Sequence, residues 1–247
     1  MLEKVIEEFN KYTSVFDRNI EGIALKYNHS FAVMDLMAEL GFRLDLTKEQ
    51  IELARVIGLL HDIGRFIQLA NARSWDDDIL DHGEEGVKYL FDEGHIRDFI
   101  DDSKYDEIIK KAIKYHNYLS IPDGLSDEEL LFVKMIRDMD KVDIYKQQAI
   151  NFELEFKADE INEKVLIDFK DEKQINKNDS KTKTDDLLLT LSFIFDINFE
   201  ESFDILVGTD NFDLFLSVVN VDEHSEKLWN KVREICFDKI NRGIGDK

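Results

Sequence analysis

The sequence predicts an all-α protein, and three observations carry that expectation. Across 247 residues there is one proline and only 11 glycines, so few positions break a helix. Hydrophobic residues make up 43% of the chain, enough for a substantial core, and Leu, Ile, Glu, Lys and Asp are abundant. Where apolar residues recur, they recur at helical rather than strand intervals.

The elements follow in order. The N-terminal "MLEKVIEEFNKY" is acidic and amphipathic, the wrong character for a signal peptide. Residues 20 to 40 place Ala32, Val33, Leu36 and Leu40 near one face, with His29 on that face. Residues 47 to 69 start with Thr47 as N-cap and run through Ile51, Ala54, Ile57, Gly58 and His61 as one predicted helix. Residues 82 to 93 follow Asp81, and Glu84 three positions on makes a pattern resembling a capping box. Residues 105 to 117 set Ile108, Ala112 and His116 one turn apart, and residues 127 to 147 do the same for Phe132, Ile136 and Asp140.

Beyond them, "KDEKQINKNDSKTKTDD" at 170 to 186 holds one apolar residue, Ile175, and reads as a solvated loop or a mobile link. Apolar helical runs are expected at 187 to 207 and 211 to 220, with a last amphipathic helix over 225 to 241. The organisation expected is a helical domain over residues 1 to 147, with residues 148 to 247 as a helical extension packed on it.

Charge and length narrow the partners. The formal net charge of −22 repels nucleic acid and anionic membranes, though bound divalent cations can reverse the field locally for a small anionic ligand. The longest apolar run, "LLLTLSFIF" at 187 to 195, is far short of a membrane span, which takes roughly 20 residues. Cys236, the one cysteine, cannot form an intrachain disulfide, and a cytoplasmic location is the simplest expectation.

The chemistry concentrates in an ordered set: His29, His61 with Asp62, His82, His116 and Asp140. Successive gaps of 32, 21, 34 and 24 residues, counted from His29 through His61, His82 and His116 to Asp140, each span about one helix plus a loop. A bundle can therefore aim one ligand inward from each of five segments. A carboxylate on an apolar face is costly unless paired, and a metal ion removes that cost. Four imidazoles and two carboxylates exceed the need of one tetrahedral ion. They suit two ions of Mn, Fe, Co or Ni, with Asp62 as natural bridge; Zn and Mg fit less well, and the absence of thiolates argues against a structural zinc site.

These residues, in "KYNHSFAVM", "LLHDIGRF", "ILDHGEEG", "AIKYHN" and "IRDMDKVDIY", resemble the HD superfamily of metal-dependent phosphohydrolases over about residues 20 to 146. The resemblance implies an HD-domain helical bundle. It implies a first metal held by His29, His61, Asp62 and Asp140, and a second held by the shared Asp62 with His82 and His116. It also implies hydrolysis of a phosphate ester or anhydride by metal-activated water. "YHNYLSIPDGLSDEE" lacks the Gly-Tyr-Pro motif of cyclic-dinucleotide phosphodiesterases. Arg65 and Phe66 stand where stringent-response hydrolases carry acidic residues.

Arg65, Lys141 and Arg137, in that order, are candidates to grip a substrate phosphate, with Asp62 as orienter of the attacking water. Each cation has a bland reading beside it, since 54 acidic residues offer it ion-pair partners. Trp75 in "NARSWDDD" reads either as a base-stacking group or as a plug at a core edge; Asp76, Asp77 and Asp78 as a solvated run or a helix start; Asn117 as a substrate contact or, preferred, a helix cap. Glu84 is expected to cap its helix, while Glu84 and Glu85 are also candidates to orient His82. His95 and His224 read as surface or structural, and Cys236 as core. A diiron oxygenase of the HD fold, cleaving C–C or C–P bonds with dioxygen, uses a similar ligand set and is the alternative enzyme. A binding module that has lost catalysis is the third reading. The substrate expected is a small phosphorylated anion, and the assembly is compatible with a homodimer.

Overall fold

The computed structural model describes residues 2–20 and 22–245; Glu21, within the first predicted helix region, lies outside the described residues, as do residues 1, 246 and 247. The architecture is all-α, as the composition and periodicity indicate. The chain divides into two compact units, Met1–Asp140 and Lys141–Lys247, with the boundary inside one helix.

The first unit opens with α1 (Leu2–Ser14), whose Val5, Phe9 and Thr13 are buried at four-residue intervals. Phe9 meets Phe66 and Phe31 edge-on, each at 5.8 Å between ring centres. Next come α2 (Ile23–Arg43) and α3 (Lys48–Leu60). Thr47 caps α3 as expected, in a full capping box with Gln50. These two helices approach closely because Gly58 has no side chain: a Cβ there would lie 2.8 Å from the Met34 backbone.

The predicted helix over 47 to 69 is in fact two. It breaks at His61 and Asp62, and α4 (Ile63–Asn71) starts afresh. Asp62 leaves the helical region at φ −100°, ψ 17°, and the Tyr12 hydroxyl donates to the Ile63 carbonyl at 2.7 Å. Apolar periodicity carries straight across this break, so the pattern gave no warning of it.

α5 (His82–Val87) continues into one π-helical turn, Lys88–Asp92. Asp81 caps it by accepting from the Glu84 amide at 2.9 Å. The reciprocal half of a capping box is missing, because the Glu84 carboxylate binds Lys114 at 2.8 Å and Tyr118 at 3.0 Å instead. The short α6 (Ile96–Phe99), α7 (Asp106–Tyr115) and the long α8 (Asp127–Asn151) follow.

The second unit contains the end of α8 and then β1 (Glu155–Phe156), α9 (Glu163–Lys170), α10 (Lys183–Leu191), α11 (Glu200–Gly208), α12 (Asn211–Ser217), β2 (Asn220–Val221) and α13 (Glu226–Ile244). β1 and β2 form a two-residue parallel pair, Phe156 opposite Val221. Tyr145 packs edge-on against Phe212 and Phe215, and Phe156 packs at a tilt against Trp229. Cys236 is buried, as expected.

Two sequence expectations need correction here. The segment 170 to 186 is largely a loop, in keeping with one of its two readings, but it is tied down rather than a free link. Ile175 is buried and its amide donates to Ser192 Oγ, while the buried Asp185 accepts from the Asn162 and Lys181 amides. Its last four residues already belong to α10, capped by Thr182. The run 187 to 207 is likewise interrupted, by a 3-10 turn over Ser192–Asp196 and an extended link before α11.

Candidate metal centre

His29 and Lys26 come from α2, one turn apart. His61 and Asp62 occupy the break between α3 and α4, His82 opens α5, His116 closes α7, and Asp140 lies on α8. The break has a geometric effect. Asp62 starts a new helix, so its carboxylate faces the cluster alongside the neighbouring imidazole of His61.

The Asp62 carboxylate divides the four histidines into two pairs. Its Oδ2 lies 3.3 Å from His61 Nε2 and 3.6 Å from His29 Nε2. Its Oδ1 lies 3.3 Å from His82 Nε2 and 3.8 Å from His116 Nε2. Asp140 Oδ1 completes the first group, 2.9 Å from His29 and 3.6 Å from His61. His82 and His116 approach each other at 2.9 Å between their Nε2 atoms. All six predicted ligands thus converge within the first unit.

The second ring nitrogens fix the first. His61 Nδ1 donates to the Gly58 carbonyl and His116 Nδ1 to the Ile113 carbonyl, each at 2.7 Å. Carbonyl oxygens only accept, so in the neutral rings both Nε2 atoms carry lone pairs turned inward. His82 Nδ1 meets the Asp77 carboxylate at 2.6 Å, with the same consequence. Two observations then test whether a cation fits. Nε2 of His61 is buried and faces the Asp62 and Asp140 carboxylates at 3.3 and 3.6 Å without a well-formed hydrogen bond. The Nε2 lone pairs of His82 and His116 face each other at hydrogen-bond distance, an arrangement a shared cation relieves. The donor set of imidazoles and carboxylates suits divalent metal ions.

Electrostatics agree with the geometry. Burial opposes charging of His61, yet the Asp62 and Asp140 carboxylates outweigh it and raise its pKa to about 9. Burial likewise disfavours the Asp62 carboxylate, but Lys26 and His61 hold its pKa well below the ordinary range. Asp140 is held low against burial by His29 and His61. Burial and the neighbouring Arg65 guanidinium depress His82 to about 3, so its ring stays neutral and available as a ligand. The field that draws a proton to His61 is the field that draws a metal cation.

Around this cluster the candidate residues take specific places. Arg65 lies on α4, a different helix from the one that ends before His61. Its Nη2 lies 3.1 Å from His82 Nε2, and its Nη1 is held by Gln68, by Asp77 at 3.1 Å and by the Trp75 carbonyl. Lys141 ion-pairs with Asp196 in the second unit. Arg137 is corrected: it is buried and donates to the carbonyls of Tyr115, His116, Tyr118 and Leu119, so it holds the turn behind His116. The Asn117 amide reaches Asp81 and His82 rather than acting as a simple cap. His95 stacks on Tyr89 and His224 is exposed.

Three residues escaped the sequence reading. Asp77 is not part of a solvated run; it holds His82, Arg65 and Gln68 together, the role considered for Glu84 and Glu85. Gln68 is fully buried and bonds Asp77 and the Leu80 carbonyl; its signal was a lone amide in "FIQLA". Lys26 places Nζ 2.5 Å from Asp62 Oδ2, and its signal was its position one turn before His29. The Trp75 indole packs over Gly22, where an added Cβ would fall 2.3 Å from its ring, in keeping with a plug at a core edge, and the ring lies 5.7 Å from the Arg65 guanidinium and 5.9 Å from Lys26 Nζ.

Residues 27–146, a span holding all six converging ligands, match the family model described as the HD domain. No curated protein and no solved structure matches the chain.

Proposed function

Through residues 27–146 the chain belongs to the HD-domain superfamily, which includes metal-dependent phosphohydrolases, and on that premise we propose that it hydrolyses a phosphate ester or anhydride of a small phosphorylated molecule. The observation that carries this reading is the split of the Asp62 carboxylate, one oxygen toward His29 and His61 and the other toward His82 and His116. That division fits a bridging ligand between two ion positions. His29, His61, Asp62 and Asp140 would hold one ion; Asp62, His82 and His116 would hold the other.

Bound divalent ions supply an activated water and neutralise charge on the phosphoryl oxygens. The chain's own groups do the rest. Asp62 and Asp140 are ionised throughout the neutral range, and His82 is uncharged. Arg65 presents its guanidinium beside the second ion position, where its planar fork suits a phosphate. Gln68 and Asp77 hold that fork still, so little of its conformational freedom remains to be lost on binding.

The test combines elemental analysis of the purified protein with a screen of phosphorylated metabolites in the presence of Mn²⁺ or Co²⁺. Metal-dependent phosphate release, lost together with metal in His61→Ala and Asp62→Ala, is the expected result. Normal turnover by either variant overturns the assignment. Two irons with a dioxygen-dependent product would instead indicate the oxygenase chemistry that similar ligand sets support.

A further inference from the structure

Asp62 Oδ2 is claimed twice. It is the oxygen that faces His29 and His61, and it also receives Lys26 Nζ at 2.5 Å. A metal–carboxylate bond is about 2.0–2.2 Å long. An ammonium already 2.5 Å from that oxygen occupies one of its lone pairs and repels any second cation brought to it. Lys26 lies in the first turn of α2 and its side chain is 12% exposed, so it reaches the cluster from the rim rather than from the core. It also differs from Arg65 in its ties: the guanidinium of Arg65 is fixed by Gln68, Asp77 and a carbonyl, whereas Lys26 has a flexible stem beside the Trp75 ring.

Resting on the reading of this cluster as a metal centre, we infer that Lys26 and the first metal ion exclude each other at Asp62 Oδ2. The lysine is an internal competitor for the metal, and the ammonium it withdraws becomes, with Arg65, a second cationic contact for the phosphate of the substrate. An ion pair populated nine-tenths of the time would weaken the apparent metal affinity about tenfold, by the fraction of competent protein.

The experiment titrates metal-depleted full-length protein with Mn²⁺ alone by calorimetry, comparing the natural chain with Lys26→Met and Lys26→Arg. The methionine variant is expected to bind the first Mn²⁺ about tenfold more tightly, and the arginine variant much as the natural chain does. Once Mn²⁺-loaded, the methionine variant is expected to bind inorganic phosphate about tenfold more weakly. Equal or weaker Mn²⁺ binding by Lys26→Met overturns the competition, and unchanged phosphate binding overturns the second role. If Lys26→Met fails to fold, acetylation of Lys26 in the natural protein, followed by mass spectrometry, decides. Labelling should be several-fold faster with Mn²⁺ than without, and equal rates overturn the inference. Should the natural chain take up no Mn²⁺ at all, the metal-centre reading falls as well; Mn²⁺ uptake with none of these differences removes only the role of Lys26.

Discussion

The Asp77 carboxylate lies 2.6 Å from His82 Nδ1 and 3.1 Å from Arg65 Nη1, tying an imidazole and a guanidinium to one acidic side chain. Asp77 therefore sets both the tautomer of His82 and the position of Arg65. Replacing it with asparagine should weaken binding at the second ion position by roughly 10–100-fold while the first position, which it does not touch, is retained. Stepwise Mn²⁺ titration followed by electron paramagnetic resonance separates the two. Loss of both sites together would count against this division.

Proton release gives an independent check. With its pKa raised to about 9, His61 carries a proton at neutral pH in the absence of metal. Metal on Nε2 must displace it, so loading at about pH 7 should release about one proton, and loading at about pH 10 almost none. Calorimetry in buffers of different ionisation enthalpy counts it. The same shift fixes the sign of a stability effect. The folded pKa lies above the ordinary 6.5, so in chelator the ion pairs of His61 stabilise the fold fully below pH 6.5 and are lost as pH rises through about 9.

Gly64 sits where α4 crosses α5. A Cβ there would fall 2.1 Å from the His82 carbonyl oxygen and 2.4 Å from the Gly86 nitrogen. Both are backbone atoms with no rotamer to yield, so Gly64→Ala should cost about 3 kcal/mol or more in urea unfolding. Gly208→Ala is the control, because nothing lies within 4 Å of a Cβ at that position. Similar losses in both variants would contradict this account.

Arg137→Met removes the donors to the Tyr115 and His116 carbonyls from a buried site. The stranded acceptors should lower stability by roughly 2–4 kcal/mol, and the freed turn should loosen His116. Urea melts read the first effect and second-site Mn²⁺ affinity the second.

Much of this centre was legible in the sequence because its ligands sit on helices whose apolar period shows which way they face. His29, His116 and Asp140 each share a face with residues that the structure buries, such as Val33, Ala112 and Ile136. The helix break at His61 was hidden because Leu59, Leu60, Ile63 and Phe66 are buried on both sides of it, so hydrophobicity runs on where the hydrogen-bond ladder stops. Asp77 was missed for a different reason. It acts from a loop, where no periodicity distinguishes a carboxylate turned inward from the solvated Asp78 beside it. Lys26 carried a helical signal, but a lysine near the start of a helix has no apolar neighbour pattern that marks it as inward-facing.

The contact at Gly64 has a broader consequence. His82 and Asp62, whose side chains meet at the Asp62 Oδ1 atom, are spaced by main chain resting on main chain at the α4–α5 crossing. Main-chain spacing is far less adjustable than spacing set by packed side chains. Substitutions in the surrounding hydrophobic residues can therefore alter the packing around the cluster, but the gauge between His82 and Asp62 is inherited from the fold itself.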